Sequence, residues 1–156
     1  TTFLLFCQVI FFVVRKFRND DYSIMMVIAR DCVETNRDAV ESVFNRLKEF
    51  YKNVYKRPNA TLMYDYIDLR ENCIIVKTLV TESPLMEVDG IKVPTLEKLL
   101  VDTQKDADFD YLHGSESLNM YQLAFEQYSI NTQRLMRYAK RRSISKEIQE
   151  LINLSK

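Results

Sequence analysis

The chain has 156 residues, 22 of them basic and 22 acidic, so its net charge is zero, and only two residues are glycine. Average usage near 7% would give roughly eleven glycines. The shortage excludes collagen-like sequence, Gly/Ser linkers and glycine-built phosphate loops, and it argues against a hairpin-rich all-β sandwich, whose tight turns lean on glycine. Zero net charge leaves no global field toward nucleic acid or anionic membrane, so any such attraction has to be local. Hydrophobic residues at 47% and charged residues at 28% are globular values, and the length suits one domain over residues 1–156.

In chain order, Phe3-Leu-Leu-Phe-Cys-Gln-Val-Ile-Phe-Phe-Val-Val14 is nearly all apolar. Twelve residues fall short of the roughly 20 needed to cross a hydrocarbon core, and no basic n-region precedes the run and no A-x-A cleavage site follows it, as a signal peptide would require. It is expected to be a buried strand or helix. After a polar turn at 18–21, Tyr22-Ser-Ile-Met-Met-Val-Ile-Ala29 predicts a buried strand. Thr35 or Asn36 is placed to cap a helix with Asp38 and Glu41 in its first turns. Val40, Val43, Phe44, Leu47 and Phe50 then keep helical spacing. Lys52 to Pro58 is a basic connection with a short strand at 53–55. Asn59 is expected to cap a second helix with Leu62, Met63, Tyr66 and Leu69 as its apolar stripe, and Asp65, Asp68 and Glu71 elsewhere on it.

Cys73-Ile-Ile-Val-Lys77 reads as a strand. Two apolar runs, 84–88 and 91–93, flank Asp89-Gly90, the strongest short hairpin signal in the chain. Pro94-Thr95 opens a helix over 96–103 with Leu96, Leu99 and Leu100 facing inward and Glu97 near its positive end. Gly114 and Ser115 precede a helix over 117–128 carrying Leu118, Tyr121, Phe125 and Tyr128. Asn131 caps a helix bearing Leu135, Tyr138 and Ala139, and Ser143 or Ser145 starts the last, with Ile148, Leu151 and Ile152. Strands and helices mix in the first two thirds and helices alone come after, which predicts an α+β (mixed α/β) class with an all-helical C-terminal third against a small sheet.

Chemistry is constrained by what these elements lack. Nucleotidyl transfer requires a Gly-Ser loop before paired acids on a strand, yet Gly114-Ser115 leads into a helix and Asp65-Tyr-Ile-Asp68 lies on one. A restriction-type nuclease needs an acid followed by Glu-x-Lys on a strand, so that two carboxylates hold the metal. Asp68 and Lys77 suit that pattern, but Ile75 stands where the second acid would be. His113 is the single histidine and is expected on an exposed loop. Cys7, Cys32 and Cys73 form no metal-type pairs, and are expected to be reduced, buried thiols of a cytoplasmic protein. No catalytic, cofactor or metal residues are therefore assigned. Arg134, Arg137, Lys140, Arg141 and Arg142 form a basic cluster, with residues 134, 137 and 141 on one helical face and Tyr138 beside them. It is a candidate docking face for an acidic protein surface or nucleic acid.

From about Ala39 onward, over three quarters of the chain, the sequence resembles a known family. The residues that carry it are Gly90-Ile-Lys-Val-Pro-Thr-Leu-Glu-Lys-Leu-Leu-Val-Asp102 and Ser129-Ile-Asn-Thr-Gln-Arg-Leu-Met-Arg-Tyr-Ala-Lys-Arg-Arg142, with upstream support from Asp38-Ala-Val-Glu-Ser-Val-Phe44 and Ile74-Ile-Val-Lys-Thr-Leu-Val-Thr-Glu-Ser-Pro-Leu85. They are similar to the C-terminal domain of AbiEi-type antitoxins of type IV (abortive-infection) toxin–antitoxin systems and related Bacteroidota proteins. The signature positions are Gly90, Val93, Pro94, Glu97, Lys98 and Asp102. The resemblance implies a non-enzymatic antitoxin-like domain that antagonises a nucleotidyltransferase-type toxin, with the toxin or its target as partner, no membrane and no cofactor. Members usually carry an N-terminal helix-turn-helix. Residues 1–34 match the family poorly and hold no such element, so operator binding is not expected. Asp102, lying among leucines, is expected to accept hydrogen bonds or to pair with a C-terminal arginine, because a buried charge needs a partner. The alternative reading is a catalytically inactive nuclease-like or nucleotidyltransferase-like domain that binds nucleic acid through the C-terminal basic helix.

Overall fold

The computed structural model describes residues 4–5, 30–59, 61–62, 73–88, 90–106, 109 and 112–155. Their elements run β1 (Leu4–Leu5), β2 (Arg30–Thr35), a 3-10 turn (Arg37–Ala39), α1 (Val40–Lys48), β3 (Val54–Lys56), β4 (Cys73–Thr78), β5 (Leu85–Val88), β6 (Ile91–Pro94), α2 (Leu96–Lys105), α3 (Ser115–Gln127), α4 (Thr132–Arg141) and α5 (Ser145–Leu154). The class is α+β, as the order of the apolar patterns predicts. The chain divides into two compact units, one of residues 1–81 with 86–94, the other of residues 82–85 with 95–156.

The first unit holds a six-stranded sheet in the order β3-β4-β2-β1-β6-β5. β2 and β4 run parallel from Arg30 opposite Cys73 to Thr35 opposite Thr78, and β3 adds to β4 in parallel. Leu4–Leu5 lies antiparallel to β2 and parallel to β6, so the apolar N-terminal run contributes a strand there. Its remaining residues and the strand expected over 22–29 lie outside the described residues. On one sheet face Val33, Val54 and Val76 meet Val40 and Val43 of α1, with Ala39, Phe44, Leu47 and Ile74 packed around them. β-branched side chains suit this role, because they fill a pleated surface at small rotamer cost. The alternate positions, Cys32, Cys73 and Ile75, are buried as well. Neither cysteine is in a disulfide; Cys7 is outside the described residues.

Two local expectations are corrected by the structure. Asn36 precedes the 3-10 turn, yet its side chain makes no capping bond, and neither does that of Ala39 at the start of α1. Phe50 does not continue the apolar stripe. α1 stops at Lys48, the amides of Phe50 and Tyr51 both turn back onto the Leu47 carbonyl, and the Phe50 ring is 65% exposed. The strand expected at 53–55 is present as β3. Asn59 does act as a cap, its Oδ1 accepting from the Leu62 amide at 2.8 Å; Met63 to Leu69 lie outside the described residues. β5 and β6 are sheet neighbours either side of the Asp89-Gly90 pair, and Gly90 takes φ +76°, as a tight hairpin turn requires.

The second unit is helical. Thr95 caps α2 by accepting from the Lys98 amide, and Asn131 caps α4 by accepting from the Arg134 amide at 2.9 Å. α3 begins two residues before the expected start, directly after Gly114 at φ +85°. The end of α4 is a Schellman motif. The Ile144 amide donates to the Ala139 carbonyl at 3.0 Å and that of Ser143 to the Lys140 carbonyl at 3.1 Å. Its C′ position is usually glycine, but here it is Ser143 at φ +59°. Arg57 and Glu82 are also left-handed, so among the described residues this glycine-poor chain makes three such turns with residues that strain to make them. Ser143→Gly is expected to stabilise the chain by about 0.5–1 kcal/mol, measured as a higher urea midpoint with an unchanged slope.

Candidate functional site

The helix opened by Pro94-Thr95 is buried on almost every side. Glu97, Lys98, Leu99, Leu100, Val101, Asp102 and Thr103 are all inaccessible, so four polar side chains enter the interior of the helical unit. Lys98 and Asp102 stand one turn apart on one helical face and their side chains pair, at 0% and 1% exposure. From α4, Tyr138 Oη donates to Asp102 Oδ1 at 2.8 Å, and Arg142 Nη1 reaches the same oxygen at 3.2 Å. Arg142 also pairs with Asp106, just past the end of α2. The Lys98 ammonium lies 5.7 Å from the centroid of the Tyr138 ring. Among the described residues, two cations and two carboxylates thus meet in one cluster, opposite charges paired as burial of charge demands.

Other polar groups of this unit are bonded as well. Tyr121, fully buried, donates to the Leu100 carbonyl at 2.8 Å. Ser117 donates to the Leu112 carbonyl at 2.8 Å and meets the Gln104 amide group. His113 is exposed, as expected of a loop position, and its Nε2 lies 3.2 Å from the Thr103 carbonyl. Glu97 belongs to the first turn of α2, but its carboxylate accepts from the Asn131 amide at 3.0 Å. It therefore serves the start of α4 too, and Arg134 stands 3.8 Å from its other oxygen.

The signature positions separate by role. Gly90 and Val93 belong to the hairpin, Pro94 ends β6, Lys98 and Asp102 build the interior cluster, and the Glu97 carboxylate ties α2 to the start of α4. The expected pairing of Asp102 with a C-terminal arginine is met by Arg142. That same contact corrects the basic face. Arg142 is turned inward with a side chain only 13% exposed, and Tyr138 is buried. Arg134, Arg137, Lys140 and Arg141 remain on the outer surface of α4. The part played by Lys98 escaped sequence analysis because Glu97-Lys98 looks like the wet side of an amphipathic helix. The available signal was that Leu96, Leu99, Leu100 and Val101 leave that helix no polar side.

In the sheet unit, Ile75, which stands where a nuclease would have its second acid, is wholly buried. Asp65, Asp68 and Glu71 lie outside the described residues. Glu34, a carboxylate that sequence analysis did not single out, is buried on β2 directly opposite Lys77 in the register. Among the described residues no group of three or more His, Cys, Asp or Glu side chains could hold a metal ion, and no helix is long and apolar enough to cross a membrane.

Fold and site together define an α+β protein whose helical unit is built around a charged core. The chain belongs to the family of unknown function DUF6577, which matches it over residues 17–156. No curated protein and no solved structure matches it.

Two consequences are measurable. Asp102→Asn keeps the shape but leaves Lys98 and Arg142 without their shared counter-charge, and is expected to cost roughly 3–5 kcal/mol, read from equilibrium unfolding. Burial raises the pKa of the Tyr121 phenol above its ordinary value. The folded state therefore holds this proton more tightly than the unfolded chain. The stability it carries is intact below about pH 10, and above that is lost at about 1.4 kcal/mol per pH unit. Tyr121→Phe is expected to be less stable than the parent at pH 8, by about 1 kcal/mol for the lost hydrogen bond. The difference should shrink and reverse as urea midpoints are followed toward pH 11.

Proposed function

We propose that the chain is a non-enzymatic, cytoplasmic antitoxin-like domain that antagonises a nucleotidyltransferase-type toxin by docking the outer face of α4 on an acidic surface of the toxin or of its target. The observation that carries this reading is the division of cations along one helix. Arg142 is spent on the internal cluster, while Arg134, Arg137, Lys140 and Arg141 face solvent from a helix whose other side is fixed by Leu135, Tyr138 and Ala139. A guanidinium row on a rigid helix loses little entropy on docking, and its forked donors suit carboxylates. The two stretches that resemble the AbiEi antitoxin domain, 90–102 and 129–142, supply α2 and α4, the helices that meet in the Lys98–Asp102–Tyr138–Arg142 cluster. The resemblance thus covers the scaffold and the surface it presents together.

The test is co-expression of the full chain with the candidate toxin encoded beside it. Relief of growth arrest is expected from the parent chain. Arg137→Glu with Arg141→Glu is expected to abolish relief and weaken binding by roughly tenfold or more, given about 2 kcal/mol for an arginine hot spot, without lowering the melting temperature. Relief that survives both reversals would sink the docking face, and no relief from the parent would sink the antitoxin reading.

A further inference from the structure

The sheet unit has a second cationic surface, built differently from the outer face of α4. Between the end of α1 and β3, consecutive aromatic rings stand in solvent, Phe50 at 65% and Tyr51 at 54% exposure. Single exposed apolar residues are ordinary on a protein surface, whereas adjacent exposed rings join into one apolar patch, the kind of feature that binding sites use. Arg46, Lys48, Lys52, Lys56 and Arg57 are exposed around them. Glu41 and Glu49 are the acidic neighbours, the first paired with Lys56 and the second with Arg46. Both pairs are solvent-exposed, and such pairs hold their members weakly. The segment from Glu41 to Arg57 thus carries five cations and two anions.

The rings are held in place. The backbone that carries them is tied at both ends, by the amides of Phe50 and Tyr51 on the Leu47 carbonyl and by the Asn53 carbonyl, which accepts from the Ile74 amide of β4 at 2.8 Å. Beyond it the Arg57 amide donates to the Val76 carbonyl at 3.0 Å. The Arg46 guanidinium already stacks on the Phe50 ring, 4.7 Å from its centroid, leaving that ring otherwise open to solvent. β3 is an edge strand of the sheet, and Lys56 and Arg57 stand exposed at its end.

We propose that this border is a binding strip for single-stranded nucleic acid, with bases stacked on Phe50 and Tyr51 and phosphates held by Lys48, Lys52, Lys56 and Arg57. Flat rings interleaved with cations match a flexible polyanion that carries its own π-faces, and every base can use them whatever the sequence. A duplex hides those faces inside its stack, so the strip discriminates against it. The proposal uses none of the residues of α4 and does not depend on the antitoxin reading.

The probes are fluorescein-labelled twelve-nucleotide oligo(dT) and oligo(U), titrated by anisotropy against the full chain. Binding of either supports the proposal, and their relative affinities identify DNA or RNA as the ligand. Phe50→Ala with Tyr51→Ala is expected to weaken binding by roughly tenfold or more, and tryptophan at both positions to preserve it, since stacking carries the affinity. The logarithm of affinity should fall against the logarithm of salt concentration with a slope of about −2 to −3, as for three or four phosphate contacts. Lys52→Glu, at an exposed position, is expected to weaken binding with no change in melting temperature. The proposal is overturned by no binding at low salt, by equal affinity for a duplex, or by alanine variants that fold and bind as the parent does. It is also overturned if Arg137→Glu with Arg141→Glu abolishes binding while the alanine variants retain it, or if the strip binds only an acidic peptide or anionic vesicles.

Discussion

The helical unit depends on the carboxylate of Asp102. A lone ionised carboxylate at 1% exposure would cost several kcal/mol, so the helices around it have to bring charge and donors to it. α2 brings Lys98 from one turn earlier, and α4 brings Tyr138 and Arg142 from two successive turns. These positions fix both the register of α4 along α2 and the rotation of each helix about its own axis. Sliding α4 by one residue would leave a buried anion facing Ala139. Apolar packing tolerates small slips of that kind, whereas a charged cluster does not. Burial disfavours the charged form of Arg142, but Asp102 and Asp106 more than compensate and hold its pKa above the ordinary guanidinium value. The Arg142 guanidinium therefore keeps its charge despite its burial.

The readable part of the fold comes from chemistry that is local in sequence. β4 and the hairpin around Gly90, the Asn131 cap and the four C-terminal helices each carry their signal within a few residues, and each stands where periodicity and turn residues place it. What escaped was decided by tertiary surroundings. Helical spacing alone assigns Phe50 to the stripe of α1, but the helix ends two residues earlier and leaves the ring in solvent. Charge alone assigns Arg142 to the exposed face, while its inward turn depends on Asp102 and Asp106, more than thirty residues away in sequence. The anionic partner of Arg142 could be anticipated because a buried acid requires a cation. Lys98 could not be, because a lysine within a helix is ordinarily wet.

The scarcity of glycine has a structural consequence beyond what it excludes. Both glycines are spent at positive φ, and three further left-handed positions fall to Arg57, Glu82 and Ser143. At Ser143 the strain is offset by the two Schellman hydrogen bonds and by burial of Ile144 immediately after it. That turn sets the exit of α4 directly after Arg142, so a strained residue sits next to the cation of the charged cluster. At Arg57 the left-handed turn ends β3, at the point where the cationic border of the sheet is exposed.

The balance of 22 basic and 22 acidic side chains constrains how both cationic surfaces can work. With no net charge, the far field of the molecule is weak, and at physiological salt any local field decays within about 8 Å. Long-range steering of a polyanion or an acidic protein is therefore slight, and selection has to occur at contact. The two surfaces have the equipment for that, in different forms. α4 presents guanidinium groups on a helix held rigid by its buried face, which favours a partner with fixed, complementary carboxylates. The border of the sheet adds exposed aromatic rings to mobile lysines, which favours a ligand that brings flat faces and adapts its own backbone. Neutrality overall is compatible with recognition because each surface gathers its cations locally, while cations elsewhere are neutralised, as Arg142 is in the interior of the helical unit.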